Sequence, residues 1–148
     1  MFINQHMTQK SEVGNLGEEI ATKYLKNKGF LILERNFRKP WGELDIITKY
    51  KDGTLVFFEV KTMTDDNGDD KNRNWGLLTP EEQLTKAKLK KLRRTASLYA
   101  GENQNLIKDK LGWRIDLVAI SLRDTLPVDI DILTNIEKYC EIRHWENV

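Results

Sequence analysis

The chain has 148 residues, 39% hydrophobic and 32% charged, with 24 Lys plus Arg against 23 Asp plus Glu. That length suits one compact domain, and 4 Trp, 5 Phe and 4 Tyr supply the bulk of a core, which excludes wholesale disorder. No apolar run reaches the roughly 18–20 residues of a membrane helix, the first 12 residues lack a signal-peptide core, and Cys140 alone makes neither an internal disulfide nor a Cys-type zinc site.

A reducing, cytoplasmic setting is therefore expected. The net charge of +1 hides a segregation: residues 86–94 hold six bases in nine positions, and residues 65–70 hold four acids in six. A basic run of that density is either a solvated helix face or a surface for a polyanion.

In chain order, Leu16, Ile20, Ala21, Tyr24 and Leu25 recur at helical spacing and Gly29 is a natural stop, so a first helix is expected over 12–28. Residues 30–37 read as a strand, broken by Lys39-Pro40-Trp41-Gly42. Residues 43–50 and 54–62 read as two more strands joined by the turn Lys51-Asp52-Gly53. A polar loop fills 64–76. Thr79-Pro80-Glu81-Glu82 is a helix start, with Thr79 as cap, Pro80 in the first position and Glu82 completing a capping box. The second helix is expected to run to Tyr99 or Ala100, with Gly101 as its stop. A fourth strand is expected over 112–122, and short edge elements over 128–133 and 138–145. This order implies one α/β domain over residues 1–148 with a mixed sheet flanked by helices. Its core covers about 12–122, and a tail occupies 123–148.

The hairpin carries the chemistry. Alternation puts Leu55, Phe57, Glu59 and Lys61 on one face of the third strand and Val56, Phe58 and Val60 on the other, the pattern of an interior strand. Glu59 and Lys61 are then charges at the end of a buried strand, costly unless paired or liganded. A three-residue turn at 51–53 sets Asp45 opposite Glu59; a two-residue turn would set it opposite Val60. The first register also gathers Glu43 and Lys61 with the two acids. Carboxylates so placed repel unless a cation sits between them, and oxygen ligands suit Mg²⁺ or Mn²⁺. The alternative is a plain salt bridge of Lys61 with Asp45 or Glu59.

Counting about 100° per residue from Leu16, Glu18 falls at about 200°, on the rim of the buried arc, and Glu19 at about 300°, toward solvent. Glu18 can lean over the sheet edge, or simply occupy a favourable place early in a helix. In the second helix Lys88 lies within the inward stripe of Leu84, Leu92, Thr95 and Tyr99, as a snorkelling side chain or as one aimed at a phosphate. Asp116, in Trp113-Arg114-Ile115-Asp116, reads as a structural ion pair. His6 and His144 stand isolated, and Trp41 and Trp113 pack or stack on bases.

Gly17-Glu18, Arg35-Asn36-Phe37-Arg38, Gly42-Glu43-Leu44-Asp45-Ile46-Ile47 and Leu55-Val56-Phe57-Phe58-Glu59-Val60-Lys61 follow one another as in the YraN-like family, which the chain resembles over about residues 14–120. Lys88, Arg114-Ile115-Asp116 and Ile142-Arg143-His144 extend the resemblance. It implies the restriction-endonuclease-like αβββαβ core of the PD-(D/E)XK superfamily and a metal-dependent endonuclease acting on DNA, including branched or damaged DNA in the manner of Holliday-junction resolvases. It further implies Glu18, Asp45, Glu59 and Lys61 as catalytic residues, and Asp45, Glu59 and Val60 around Mg²⁺ or Mn²⁺. Arg38, Lys86, Lys88, Lys90 and Arg94 are the expected nucleic-acid contacts. The partner is DNA, met by a monomer or homodimer, with no membrane and no small-molecule cofactor. Leu44 takes the proline slot of the superfamily signature, and Met63 stands where relatives often carry an arginine. A non-catalytic nucleic-acid-binding module is the competing reading, and a protein-interaction domain using the acidic 65–70 loop is a third.

Overall fold

Residues 8–64, 80–122 and 131–148 are described by the computed structural model of the chain. The first helix, α1, spans Thr8–Asn27, beginning earlier than the apolar spacing suggests. It ends where expected: Gly29 has φ +94°, a left-handed geometry that suits glycine at a helix end. Three antiparallel strands follow, β1 Leu31–Lys39, β2 Gly42–Lys49 and β3 Leu55–Thr64. A bulge between Ile32 and Glu34 interrupts the β1–β2 register.

The β2–β3 turn has the three-residue form. Tyr50 N–H donates to Thr54 O at 2.9 Å and Gly53 N–H to Tyr50 O at 2.8 Å; Gly53 supplies the positive φ of +99° that this turn needs. Pairing therefore runs from Lys49 opposite Leu55 to Ile46 opposite Phe58.

The crossover differs from expectation. In place of one continuous helix there are two, α2 Pro80–Gln83 and α3 Lys86–Glu102. Thr85 is the cap of the longer one, its hydroxyl accepting from Lys88 N–H at 3.2 Å. Leu84, between the two helices, is buried in the core at 3% exposure, as its place in the inward stripe implies. The expected cap, Thr79, lies outside the described residues, as does the 65–70 loop. The helix also runs through Gly101, ending at Asn103, whose N–H bonds to Ala100 O.

Beyond it, β4 Trp113–Leu122 pairs parallel to β3 along its whole length. After the helical turn α4 Ile136–Tyr139, β5 Cys140–Trp145 adds an antiparallel edge. The first half of the expected 128–133 element, 128–130, lies outside the described residues, and Ile132–Thr134 is a single 3₁₀ turn. The result is one α/β domain with a five-stranded mixed sheet in the order β1-β2-β3-β4-β5.

Each face of the sheet has its own core. Ile20, Ala21 and Leu25 of α1 pack on Ile46, Val56, Phe58, Val118 and Ile120. Leu92, Ala96, Tyr99 and Ala100 of α3 pack on Ile47, Leu55, Phe57, Ile115 and Leu117. Tyr99 anchors the second layer, meeting Phe37 and Phe57 edge-on at 5.2 and 5.6 Å between ring centres. Among the described residues no helix is long and apolar enough to cross a membrane.

Candidate functional site

The β2–β3 ladder stops at Ile46 and Phe58, one step short of the position where the same register would set Asp45 opposite Glu59. There the Asp45 carboxylate takes over from the ladder: Val60 N–H donates to Asp45 Oδ2 at 2.8 Å. Glu59 shares the face of Leu55 and Phe57 beneath α3 and is 4% exposed. Burial, then the charge of Glu59, pushes the Asp45 carboxyl up from 3.8 to about 7, against the Val60 hydrogen bond. A hydrogen bond with Glu59 and the more distant charge of Glu18 add to the rise. Two adjacent, poorly solvated acids of this kind strongly favour a cation.

Lysines supply positive charge beside the acids. Lys88 Nζ lies 2.8 Å from Glu59 Oε1, and Lys61 Nζ lies 3.9 Å from the same oxygen. The tight ion pair is thus made from α3 and not, as spacing within β3 suggests, by Lys61. The hydrogen bond to Glu59 raises the Lys88 ammonium above its ordinary value, outweighing its partial burial.

Glu18 reaches the site region from the other face. Gly17 lies against Thr62 of β3, where a β-carbon would overlap the threonine side chain, so α1 sits close to the sheet just where Glu18 leaves it. Arg35 Nη2 is 3.8 Å from Glu18 Oε2. Glu19, expected in water, is instead bound by Arg35 Nη1 at 2.8 Å while remaining 51% exposed. Helical angles alone could not show this, since Arg35 comes from β1.

The carboxylates line a cleft of about 220 Å³. Its walls include Lys39, Pro40, Gly42 and Glu43 from the start of the hairpin and Lys88, Lys91 and Leu92 from α3. Lys39 and Lys91 were not singled out in the sequence, although the pattern of bases in 86–94 contained the second. Lys86, Lys90 and Arg94 are exposed along α3, and Arg38 is exposed on β1 opposite Glu43. Among the described residues no three His, Cys, Asp or Glu side chains form a ready metal cluster. Two carboxylates with backbone and water oxygens nevertheless fit a hard cation such as Mg²⁺, which usually takes one or two protein carboxylates.

Asp116 sits on the opposite face, at 0% exposure, and makes the expected ion pair: Arg114 Nε donates to Oδ1 at 2.9 Å and Nη2 to Oδ2 at 3.2 Å. His144, isolated in sequence, also joins it, as does the Asn147 N–H. Trp113 packs edge-on against Phe57, at 5.7 Å, while Trp41 is 40% exposed.

The profile of the uncharacterised protein family UPF0102 matches residues 17–120, a span that includes Glu18, both carboxylates and all the lysines named above. A UPF0102 protein of Clostridium botulinum (strain Loch Maree / Type A3) is 39% identical over 113 residues, 75% of this chain and 80% of that protein. One from Syntrophomonas wolfei is 43% identical over 113 residues, 76% of this chain and 87% of its own length.

Proposed function

The chain belongs to the uncharacterised protein family UPF0102, and on the cleft just described we propose that it is a metal-dependent endonuclease, a hydrolase of DNA phosphodiester bonds with a restriction-endonuclease-like core of the PD-(D/E)XK kind. One observation carries this reading. Asp45 and Glu59 are brought together at the end of a buried hairpin, with Asp45 pushed up to about 7, beside lysines suited to phosphate. A structural ion pair needs one acid and one base. Two adjacent acids, Glu59 buried and Asp45 half-buried, are explained by a cation they hold together.

Asp45, Glu59 and the Val60 carbonyl would hold Mg²⁺ or Mn²⁺, which when bound supplies Lewis-acid stabilisation of the charge that builds on the phosphate. The remaining work falls to the chain. Lys61, on the face of Glu59, orients the attacking water or neutralises a phosphate oxygen. Water adds to phosphorus in line with the leaving oxygen and gives up a proton to solvent, the P–O bond breaks, and the leaving oxygen takes a proton from solvent. Glu18, held by Arg35, lies near enough to influence Asp45 and positions water at the rim. Lys39 and Lys91 line the path of the backbone, and Lys86, Lys90, Arg94 and Arg38 extend it.

The test is cleavage of single-stranded, duplex, flap and four-way DNA with Mg²⁺ or Mn²⁺, wild type against Asp45→Asn. Metal-dependent cleavage that the substitution abolishes supports the reading. Equal activity in both proteins, or none on any substrate, overturns it.

A second reading is favoured by the Lys88–Glu59 contact itself, because a carboxylate already satisfied by lysine needs no metal. The domain would then bind DNA through its basic helix without cutting. Affinity that falls steeply with salt, unaccompanied by cleavage, identifies that case.

A further inference from the structure

Glu59 is nearly inaccessible to water, and a buried carboxylate without a counter-charge is expensive. The counter-charge could come from Lys61, two residues along the same strand, yet Lys61 stays at 3.9 Å. The close contact, 2.8 Å, is made from a different element, by Lys88 in the first turn of α3. The two ends of that contact are unequal: the Glu59 side chain is 5% exposed and that of Lys88 47%. The lysine therefore enters from the mouth of the cleft and can withdraw by rotating its own stem, with no rearrangement of sheet or helix. When it withdraws it remains in the same cleft, beside Lys39 and Lys91.

We propose that Lys88 is an internal counter-cation of the carboxylate pair, holding Glu59 while no metal is bound and yielding it to a divalent ion, so that the freed ammonium turns to the substrate phosphate. The inference deepens, and rests on, the metal-dependent reading above. Two positive charges cannot share one carboxylate oxygen at contact distance without strong repulsion, so Lys88 competes with metal and lowers its apparent affinity. Metal binding in turn releases a cation that DNA can use. By linkage each ligand then favours the other, and the empty site, with its lysine folded inward, is a poor phosphate receptor.

Mn²⁺ binding by calorimetry, without DNA, tests this on wild type, Lys88→Met, Lys88→Gln and the remote, exposed Lys110→Met. Both Lys88 variants should bind Mn²⁺ about tenfold more tightly than wild type, and Lys110→Met should match wild type. In chelator the Lys88 variants should melt lower, since Glu59 is left unpaired, and saturating Mn²⁺ should raise their melting temperatures more than it raises that of wild type. Mn²⁺ affinity that is unchanged or weaker in both variants overturns the counter-cation and leaves the metal site standing. Absence of Mn²⁺ binding in wild type and in both variants overturns the metal reading and the inference with it.

Discussion

His144 Nε2 stands 2.8 Å from Asp116 Oδ2, so an edge strand supplies a hydrogen-bond partner to a carboxylate sealed inside the neighbouring strand. Arg114 and the Asn147 N–H complete the set of donors. Burial alone would push the Asp116 carboxyl up; the hydrogen bonds from His144, Arg114 and Asn147 outweigh it and hold the group below its ordinary 3.8. The contact thus fastens β5 and the residues after it to the middle of the molecule.

Asp116→Asn should accordingly cost roughly 3 kcal/mol at pH 7, the scale of a buried pair that has lost one partner. A carboxyl held low contributes its stability in full above its unfolded value and loses it as pH falls through the folded one. The deficit of the variant should therefore shrink below pH 3.8. Urea unfolding across that range measures it, and a deficit independent of pH would contradict the charge argument.

Asp45 has the opposite sign. Its folded value of about 7 lies above the ordinary 3.8, so the folded state is favoured while the proton is kept. The penalty is absent below 3.8, grows with pH and is complete above about 7. In chelator, Asp45→Asn should melt like wild type near pH 4 and roughly 3–6 °C higher at pH 8. Thermal melts at the two pH values check this, and a variant less stable at pH 8 would mean that the acids do not repel.

Lys61→Ala should lose hydrolysis while keeping most DNA affinity, because one lysine beside Glu59 serves one phosphate. Charge reversal at both Lys90 and Arg94 should instead weaken binding on every sequence and flatten its salt dependence. Filter binding at several salt concentrations, with initial cleavage rates, separates the two. If both variants fail only in binding, the non-catalytic module is the better account.

Glu18→Gln and Glu19→Gln form a matched pair. Glu18 influences Asp45, and its loss should slow cleavage tenfold or more, about 1.4 kcal/mol of barrier. Glu19 gives up a 2.8 Å contact with Arg35 but is half exposed, so its loss should cost less than about 1 kcal/mol of stability and little rate. Indistinguishable rates at matched melting temperatures would remove Glu18 from the site.

The hairpin was legible because its register depends on local matters: the length of a turn and a period of two. Asp45 and Glu59 follow from these alone. The contacts that were not legible join elements distant in the chain. Nothing near His144 marks Asp116 as its partner, since β5 finds β4 only when the sheet assembles. Arg35 reaches Glu19 from a different layer for the same reason. The helix break escaped because Thr79-Pro80 is a stronger start signal than Thr85, and because Leu84 fits the inward stripe of an unbroken helix equally well. Lys88 was readable as an inward lysine, but its partner depended on how α3 lies across the sheet.

Gly17 and Gly42 stand where a β-carbon would overlap Thr62 and Thr95, one on each face of the sheet, and each lies within three residues of an acid of the site. The separation between layers is thus set, next to the carboxylates, by hydrogen atoms. Tolerance to change should be distributed accordingly. A single added methyl at either glycine can leave every acid and lysine in the chain and still spoil their arrangement, because its carbon would overlap a threonine oxygen and the layers would have to part. The most damaging substitutions in this molecule need carry no charge.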